Sequence, residues 1–268
     1  MINRFRSLFA PRAAPLPEAT IPDGQRVFAI GDIHGRLDLF LQLAEMIEAD
    51  DRARGAADTT VILLGDLIDR GPDSAGVIRA ARSWQAQRRV RIIAGNHEQM
   101  LVESMTSKET LRQFLRYGGR ETLLSYGLSR EEYESSTLDD LLERLPSLIP
   151  AEDIDYIGEM ENSVQVGDYL FVHAGIRPGV PLADQQTSDL RWIRGEFLDD
   201  PADHGQVVVH GHTITDEVVV LPNRIGIDTG AYASGALTAL GLEGGELWFL
   251  STQPPSPAIA EAGFRTAS

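Results

Sequence analysis

Five short glycine-containing motifs carry side chains that could bind metal ions, and they follow one another in order along the chain. They are Gly31-Asp32-Ile33-His34-Gly35, Gly65-Asp66-Leu67-Ile68-Asp69-Arg70-Gly71, Gly95-Asn96-His97-Glu98, His173-Ala174-Gly175 and Gly211-His212-Thr213. Carboxylate, amide and imidazole groups in this mixture suit manganese, iron or zinc better than calcium or magnesium. The chain has no cysteine, so no thiolate can contribute. The motifs therefore predict a metal centre with oxygen and nitrogen ligands.

Two neighbouring metal ions need a shared ligand, and a carboxylate can bridge them where an imidazole cannot. Asp66 is the expected bridge. The other expected ligands divide between the ions, Asp32 and His34 for the first, and Asn96, His173 and His212 for the second. A metal lowers the pKa of bound water from about 15.7 to about 7, so a bridging hydroxide could act as a nucleophile. We expect two divalent ions as cofactors, with manganese as the first choice and iron or zinc as alternatives.

Each motif follows a short apolar run that predicts a buried strand. These runs are residues 27–30, 61–64, 90–94, 169–172 and 207–209. In open α/β sheets, ligands bind beyond the carboxyl ends of the strands, so the five motifs should meet at one edge. Residues 163–166, 237–240 and 246–250 predict further strands that add to the sheets in antiparallel fashion.

The ordered motifs resemble those of the metallophosphoesterase superfamily. Within it they are most similar to the phosphoprotein phosphatase family, in particular to the compact bacterial and phage serine/threonine phosphatases. The resemblance covers about residues 25–245 and implies the same six metal ligands. It also implies that His97 is the general acid that protonates the leaving oxygen, that Asp69 orients His97, and that Arg70 faces the substrate phosphate. Asn96 would contact the phosphate as well as a metal.

A second phosphate-binding arginine is implied by the resemblance of residues 189–196 to a Trp-x-x-Arg stretch of the family. Arg194 is the candidate, and Arg191 is less favoured. Two guanidinium groups can pair with phosphoryl oxygens and stabilise charge in the transition state. Ile214 stands where the wider superfamily often has a histidine, and this departure is typical of the phosphoprotein phosphatase branch.

A segment of about residues 100–157 interrupts the succession of strands, and its apolar residues recur at helical spacing. We interpret it as a helical insert or cap beside the metal site that governs substrate choice. Within it, Tyr117-Gly118-Gly119-Arg120 breaks the helical pattern. Arg120 is a candidate for binding substrate, with a solvent-facing arginine at a helix start as the alternative. The predicted fold class is α/β, a four-layer α/β/β/α sandwich with this insert, which the family resemblance also implies.

Length and composition favour one catalytic domain over residues 23–251, with proline-containing tails at 1–22 and 252–268. The first tail could instead be a weak amphipathic anchor. The chain has no run of 18 apolar residues, so no membrane-spanning segment is expected. The absence of cysteine favours a reducing cytoplasm. A formal net charge of −16 disfavours nucleic acid as a partner, because a polyanion would be repelled.

Hydrolysis of phosphate monoesters is the expected activity, by in-line attack of the bridging hydroxide with His97 as general acid. Phosphoserine and phosphothreonine in proteins or peptides are the favoured substrates, with small phosphate esters as further ones. One alternative is a symmetrical dinucleoside tetraphosphate hydrolase. Those relatives typically carry alanine in place of Asp69 and aspartate in place of Glu98. The other alternative is a phosphate-binding protein without activity, which the filled catalytic positions oppose.

Overall fold

The computed structural model describes residues 19–253, in which the apolar runs of the sequence form strands. The strands are β1 (Gln25–Ile30), β2 (Asp58–Leu63), β3 (Val90–Ile92), β4 (Ser163–Val166), β5 (Tyr169–Val172), β6 (Val207–His210), β7 (Val219–Leu221), β8 (Arg224–Gly226), β9 (Thr238–Glu243) and β10 (Glu246–Ser251). The helices are α1 (Leu37–Arg54), α2 (Ser74–Gln85), α3 (Asn96–Ser104), α4 (Lys108–Phe114), α5 (Arg120–Ser125), α6 (Arg130–Ser135), α7 (Leu138–Leu148), α8 (Ala151–Gly158), α9 (Thr187–Trp192), α10 (Gly195–Leu198) and α11 (Ala231–Ser234).

Two five-stranded sheets form, in the orders β10-β9-β1-β2-β3 and β4-β5-β6-β8-β7. Strands β1, β2 and β3 are parallel, and so are β5, β6 and β8. The outer strands β9 and β10 extend the first sheet in antiparallel fashion, while β4 and β7 do so for the second. The five strands that precede the motifs are therefore divided between the two sheets, and the predicted edge is made jointly by both.

Side-chain alternation along the strands builds three cores. In β1, Phe28 and Ile30 pack against helices, whereas Val27 and Ala29 pack against the second sheet. The outer face of the second sheet contributes Leu170, Val172 and Val208 to a smaller core with α9 and α10. Three cores separate four layers, so the predicted α/β/β/α sandwich is confirmed.

The predicted insert consists of helices α4 to α8 and a π-helical turn at Leu115–Gly119. Its apolar residues join the core beneath the first sheet, among them Leu111, Phe114, Leu141 and Leu145. The insert is thus part of the helical layer of the sandwich. Gly118 has a φ of 113°, which interrupts the helical backbone where the sequence predicted a break.

The described ends of the chain pack against the sandwich. Ile21 is buried, and its N–H donates a hydrogen bond of 2.8 Å to the carbonyl of Gly244. Residues 19–22, which the sequence assigned to the first tail, are therefore held in place, and residues 1–18 and 254–268 lie outside the described residues. From Ala19 to Gln253, no helix has the length and apolar character needed to cross a membrane.

Candidate active site

The loops that follow the strands bring the predicted metal ligands together. Asp32 and His34 follow β1, Asp66 follows β2, Asn96 begins α3 after β3, His173 follows β5 and His212 follows β6. All six side chains are buried, although charged and polar groups are normally exposed. Such a concentration of buried polar groups requires partners among themselves or a bound cation.

Backbone strain marks the same loops. Within the described part of the chain, the residues other than glycine with positive φ are His34, Asp66, Asp69, Arg70 and His212. Their φ angles lie between 47° and 73°, a region that side chains other than glycine rarely adopt. Every one of them is a predicted site residue. Strain of this kind persists where the surrounding structure holds it, and it concentrates at functional sites.

Motif glycines are needed because ligand oxygens lie directly against their backbone. A Cβ atom at Gly95 would overlap Oδ1 of Asp66, and one at Gly211 would overlap Oδ1 of Asp32. Any side chain at either position would displace a predicted ligand. Because glycine has no Cβ atom, the motif glycines allow the carboxylates to lie directly against neighbouring loops.

Two groups of side chains in the described residues bring ligand atoms within 4.8 Å of one another. They are His34, Asp66 and His97, and Asp66, His173 and His212. Asp66 belongs to both, as expected for a bridge. Its Oδ2 lies 3.6 Å from Nε2 of His34, and its Oδ1 lies 3.5 Å from Nε2 of His173.

The histidines present their Nε2 atoms to the centre. Nδ1 of His34 lies 2.8 Å from the carbonyl oxygen of Ile68, and Nδ1 of His173 lies 2.8 Å from that of Leu64. A carbonyl only accepts, so each Nδ1 carries the proton and each Nε2 keeps its lone pair. Burial lowers the pKa of His34 to about 3, which favours the neutral ring that a metal requires.

The second group contains an unpartnered nitrogen. Nε2 of His212 is buried and has no hydrogen-bond partner. Oδ1 of Asn96 lies 3.0 Å from Nε2 of His173 and adds an amide oxygen to the same place. A buried ring nitrogen with a free lone pair, beside a carboxylate and an amide oxygen, fits a metal ion. The donor set of this group therefore agrees with the expected ligands Asn96, His173 and His212.

Asp32 lies beside a carboxylate that the sequence analysis did not select. Both oxygens of Asp32 lie 3.1 Å from the backbone nitrogen of His212. Burial, followed by the charge of Asp228, raises the pKa of Asp32 well above its ordinary range. Burial also raises the pKa of Asp228 to about 6. Two adjacent buried carboxyl groups are stabilised by a cation or by a shared proton, which again fits a metal ion.

Asp228 carried a signal that was available in the sequence. It follows the run Ile225-Gly226-Ile227 and precedes Thr229-Gly230, so it is an aspartate at the end of an apolar run, as in the other motifs, but without a glycine directly before it. The preceding strand β8 is only three residues long. Short strands with glycine give weak sequence patterns, and β7 and β8 were not predicted.

His97 and Asp69 form the expected pair. Nδ1 of His97 lies 2.6 Å from Oδ2 of Asp69, and both side chains are buried. Burial lowers the pKa of His97, but the carboxylates of Asp66 and Asp69 outweigh that effect and raise it above the ordinary value. A raised pKa makes Nε2 of His97 more basic, so Nε2 can carry a proton, as a general acid requires, once the guanidinium of Arg70 no longer donates to it.

Arg70 lies inside the site. Its guanidinium group is 2.8 Å from Nε2 of His34 and 3.0 Å from Nε2 of His97. It also lies 4.8 Å from the centroid of the Tyr232 ring. The lone pair of His34 can serve Arg70 or a metal ion but not both, so metal binding at His34 would release the guanidinium for phosphate.

The two remaining arginine candidates have different surroundings. Arg194 is exposed, and burial, the charge of His173 and then the charge of Arg194 lower the pKa of His212. Its neighbour Arg191 donates to Asn162 at 2.8 Å, and its charge adds to the effect of burial that lowers the pKa of His173. Arg120 contacts Glu121, Glu134 and the ring of Tyr133 within the insert. The structure thus brings Arg70 into the site and shows contacts of Arg120 that are typical of the solvent-facing alternative. The charges of Arg194 and Arg191 both act on histidines of the second group, so the two arginines are not separated by this observation.

Glu98 joins the loops that carry Asp66 and Asn96. Its Oε2 accepts hydrogen bonds of 2.8 Å from the backbone N–H groups of Gly95 and Asp66, and its Oε1 accepts one of 2.8 Å from Leu67. A buried carboxylate that binds several backbone N–H groups fixes their relative positions. Glu98 therefore holds the bridging ligand in place.

Comparisons with known proteins identify relatives among phosphoesterases. The model of the calcineurin-like phosphoesterase family matches residues 25–236. The asymmetrical bis(5'-nucleosyl)-tetraphosphatase PrpE of Halalkalibacterium halodurans is 25% identical over 250 residues, which covers 87% of this chain and 95% of that protein. Serine/threonine-protein phosphatase 1 of Salmonella typhimurium is 27% identical over 223 residues, which covers 80% of this chain and 90% of that protein.

A solved structure shows the same fold. The cold-active protein-tyrosine phosphatase of a psychrophilic Shewanella species superimposes with a TM-score of 0.57 at 18% identity, covering 90% of this chain and 83% of that one. At this identity the likeness concerns the fold alone. The family match extends over most of the sandwich and includes every predicted metal ligand, so the chain belongs to the calcineurin-like metallophosphoesterase family.

Proposed function

We propose that this chain is a dinuclear-metal phosphatase that hydrolyses phosphate monoesters, with phosphoserine and phosphothreonine in proteins as favoured substrates. The six ligands Asp32, His34, Asp66, Asn96, His173 and His212 would hold two divalent ions, preferably manganese. Bound metals would polarise the phosphate and lower the pKa of a bound water. Residues 23–251 are the proposed catalytic domain, and the cytoplasmic location stays a prediction.

The observation that carries this proposal is the contact of 2.6 Å between Nδ1 of His97 and Oδ2 of Asp69. A serine or threonine alkoxide is a poor leaving group and needs a proton as the P–O bond breaks. Asp69 holds His97 by Nδ1, which leaves Nε2 to deliver that proton. A nucleotide phosphate, by contrast, has a pKa of about 6 and can leave without being protonated. The pair therefore favours alkyl monoesters.

Substrate phosphate would be held by arginines on either side of the metal groups. Arg70 reaches His34 and His97, and Arg194 lies near His212. Planar guanidinium groups bind phosphoryl oxygens in pairs and compensate the charge that develops on them. We assign phosphate binding to Arg70, Arg194 and the amide of Asn96.

A second candidate function, hydrolysis of dinucleoside tetraphosphates, is favoured by two exposed aromatic rings. Tyr232 packs edge-on against His34 with ring centroids 5.4 Å apart, and Trp192 packs edge-on against His212 at 6.5 Å. Both rings are more than a third exposed, 37% for Tyr232 and 39% for Trp192. Exposed rings next to a phosphate site could stack on bases. A curated relative also carries the name of a tetraphosphatase.

The test compares two substrates of the manganese-loaded protein. Turnover of a phosphoserine peptide is measured by phosphate release, and turnover of diadenosine tetraphosphate by chromatography of the nucleotides formed. We expect faster turnover of the peptide. Faster turnover of the dinucleotide, with a large loss in Tyr232→Ala and Trp192→Ala, would establish the second function. A protein inactive on both, yet able to bind inorganic phosphate, would contradict both and support a binding role.

A further inference from the structure

Asp69 is held at both ends of its carboxylate. Oδ2 lies 2.6 Å from Nδ1 of His97, and Oδ1 accepts a hydrogen bond of 2.5 Å from the hydroxyl of Thr122. Thr122 lies 53 positions further along the chain, in α5 of the insert, and is completely buried. The insert therefore reaches the residue that orients His97.

The hydrogen bonds around Thr122 have one consistent arrangement. An ionised carboxylate only accepts, so the single hydroxyl proton of Thr122 points to Asp69. The lone pairs of Thr122 then accept from the hydroxyl of Ser74 at 2.9 Å and from the backbone N–H of Asp69 at 3.0 Å. That N–H also lies 2.9 Å from Oγ of Ser74. Thr122 thus binds both the backbone and the side chain of the same aspartate.

The backbone of Asp69 explains why such support is needed. Its φ of 73° lies in the left-handed region, which a side chain other than glycine adopts only where surrounding contacts hold it. Neighbouring Arg70 shares this conformation, with a φ of 67°. The backbone at Asp69 and Arg70 would not adopt this conformation on its own. Contacts from other parts of the chain must therefore hold the Asp69 carboxylate next to His97.

We propose that Thr122 is a positioning residue for the general acid: its hydroxyl fixes the Asp69 carboxylate so that Nε2 of His97 points to the leaving oxygen. This proposal rests on the function proposed above for His97. It gives the helical insert a part in the chemistry, in addition to any part in substrate choice. A valine at this position would occupy the same space and would lack only the hydroxyl.

The test uses two aryl phosphates that differ in how much they need an acid. Phenyl phosphate releases a weakly acidic phenol and depends on protonation, whereas 4-nitrophenyl phosphate releases a more acidic phenol and depends on it far less. With the manganese-loaded protein, we expect Thr122→Val to lower kcat for phenyl phosphate by about 10- to 100-fold. The loss for 4-nitrophenyl phosphate should be much smaller, and KM should change little.

Matched variants separate positioning from packing. Thr122→Ser keeps the hydroxyl and should restore most of the activity on phenyl phosphate. Thr110→Val removes another threonine hydroxyl of the insert, one that contacts Ser107, and should leave both activities unchanged. Thr122→Ala replaces Thr122→Val if the latter is insoluble, with the same expectation. Metal content and the unfolding midpoint are measured for every variant.

Two further variants show whether a negative result concerns Thr122 alone or also the role of His97. In an Asp69→Ala background, Thr122→Val should have no additional effect on kcat, because the oxygen that accepts from the Thr122 hydroxyl is already lost. Additive losses, or equal losses on both substrates, would overturn the proposal for Thr122. His97→Asn is measured in parallel. If it too loses both activities equally, the general-acid function of His97 fails and the proposal falls with it; if it discriminates between the substrates and Thr122→Val does not, only Thr122 is wrongly assigned.

Discussion

The backbone N–H of Arg70 donates a hydrogen bond of 3.1 Å to the carbonyl of Gly118, so the insert supports the loop that carries Arg70 through its backbone. Gly118 has a φ of 113° and lies directly against Arg70. A Cβ atom there would lie 2.7 Å from Cγ of Arg70 and 2.8 Å from its backbone nitrogen. The sequence predicted a break in the helical pattern at Tyr117-Gly118-Gly119-Arg120, and the structure shows that Gly118 there contacts Arg70.

Gly118→Ala should raise KM for phosphate esters and lower the free energy of unfolding. The positive φ alone should cost about 1–3 kcal/mol. Gly127→Ala is the matched control, since Gly127 has a φ of 101° with no atom within 4 Å of the added Cβ. Urea unfolding should show a loss in both variants, whereas steady-state kinetics should show the higher KM only for Gly118→Ala. An equal KM in the two variants would mean that the insert does not position Arg70.

His97→Asn should reduce kcat on a phosphoserine peptide by about 10²- to 10⁴-fold, the usual contribution of a general acid. Its metal content, measured by elemental analysis, should stay close to that of the unchanged protein. This measurement matters because Nε2 of His97 lies 3.8 Å from Oδ2 of Asp66, within reach of the first metal group. Loss of one metal in His97→Asn would make His97 a ligand.

Asp66→Asn should lose metal as well as activity, because Asp66 belongs to both groups of ligand atoms. An amide cannot bridge two ions as a carboxylate does. Elemental analysis after dialysis should find fewer than two ions per chain. A variant that kept its full metal content would show that another residue forms the bridge.

Glu98→Gln should lower the free energy of unfolding by about 1–3 kcal/mol, the range for a buried N–H group that loses its acceptor. The amide of glutamine would direct N–H groups at the backbone N–H groups of Asp66 or Leu67, which now donate to the carboxylate. Urea unfolding of the metal-free protein measures the loss. Glu45→Gln, an exposed change on α1, should stay within about 0.5 kcal/mol. An equally small loss of free energy of unfolding in Glu98→Gln and Glu45→Gln would show that Glu98 does not hold the loops of Asp66 and Asn96 together.

Asp51 should contribute stability that disappears in acid. Burial raises the pKa of Asp51, but the Thr59 hydroxyl lowers it, and so do the guanidinium groups of Arg26 and Arg88. The pKa of Asp51 therefore lies below the ordinary value for aspartate of about 3.9. A carboxyl group with a lower pKa in the folded than in the unfolded protein stabilises the fold at pH values above its pKa in the unfolded protein. This stabilisation is lost as the pH falls through its pKa in the folded protein.

The free energy of unfolding of Asp51→Asn should therefore differ most from that of the unchanged protein near pH 6. The difference should shrink towards pH 3. Urea unfolding of the metal-free proteins at a series of pH values measures it. Asp58→Asn removes an exposed partner of Arg89 and should have an effect of at most about 1 kcal/mol. A difference for Asp51→Asn that does not depend on pH would contradict the assigned ion pairs.

Local patterns in the sequence determined the chemistry of the site. Short apolar runs ending in glycine with aspartate or histidine predicted the strands that precede the motifs, and the mixture of donor groups predicted the metal ligands. These signals are local, since strand burial and turn conformation depend on a few neighbouring residues. The resemblance to a known family added the expected roles of His97, Asp69 and Arg70.

Only the tertiary structure showed which distant residues complete the site. Asp228 meets Asp32 across two sheets, and Thr122 meets Asp69 across 53 positions. Neither contact follows from a local pattern, because each depends on how whole layers pack and on the register of the strands that carry them. A threonine inside a helix looks the same in the sequence whether it faces solvent or a catalytic carboxylate. The sequence therefore determined the candidate ligand groups, and the packing of the sandwich decided which side chains hold them in place.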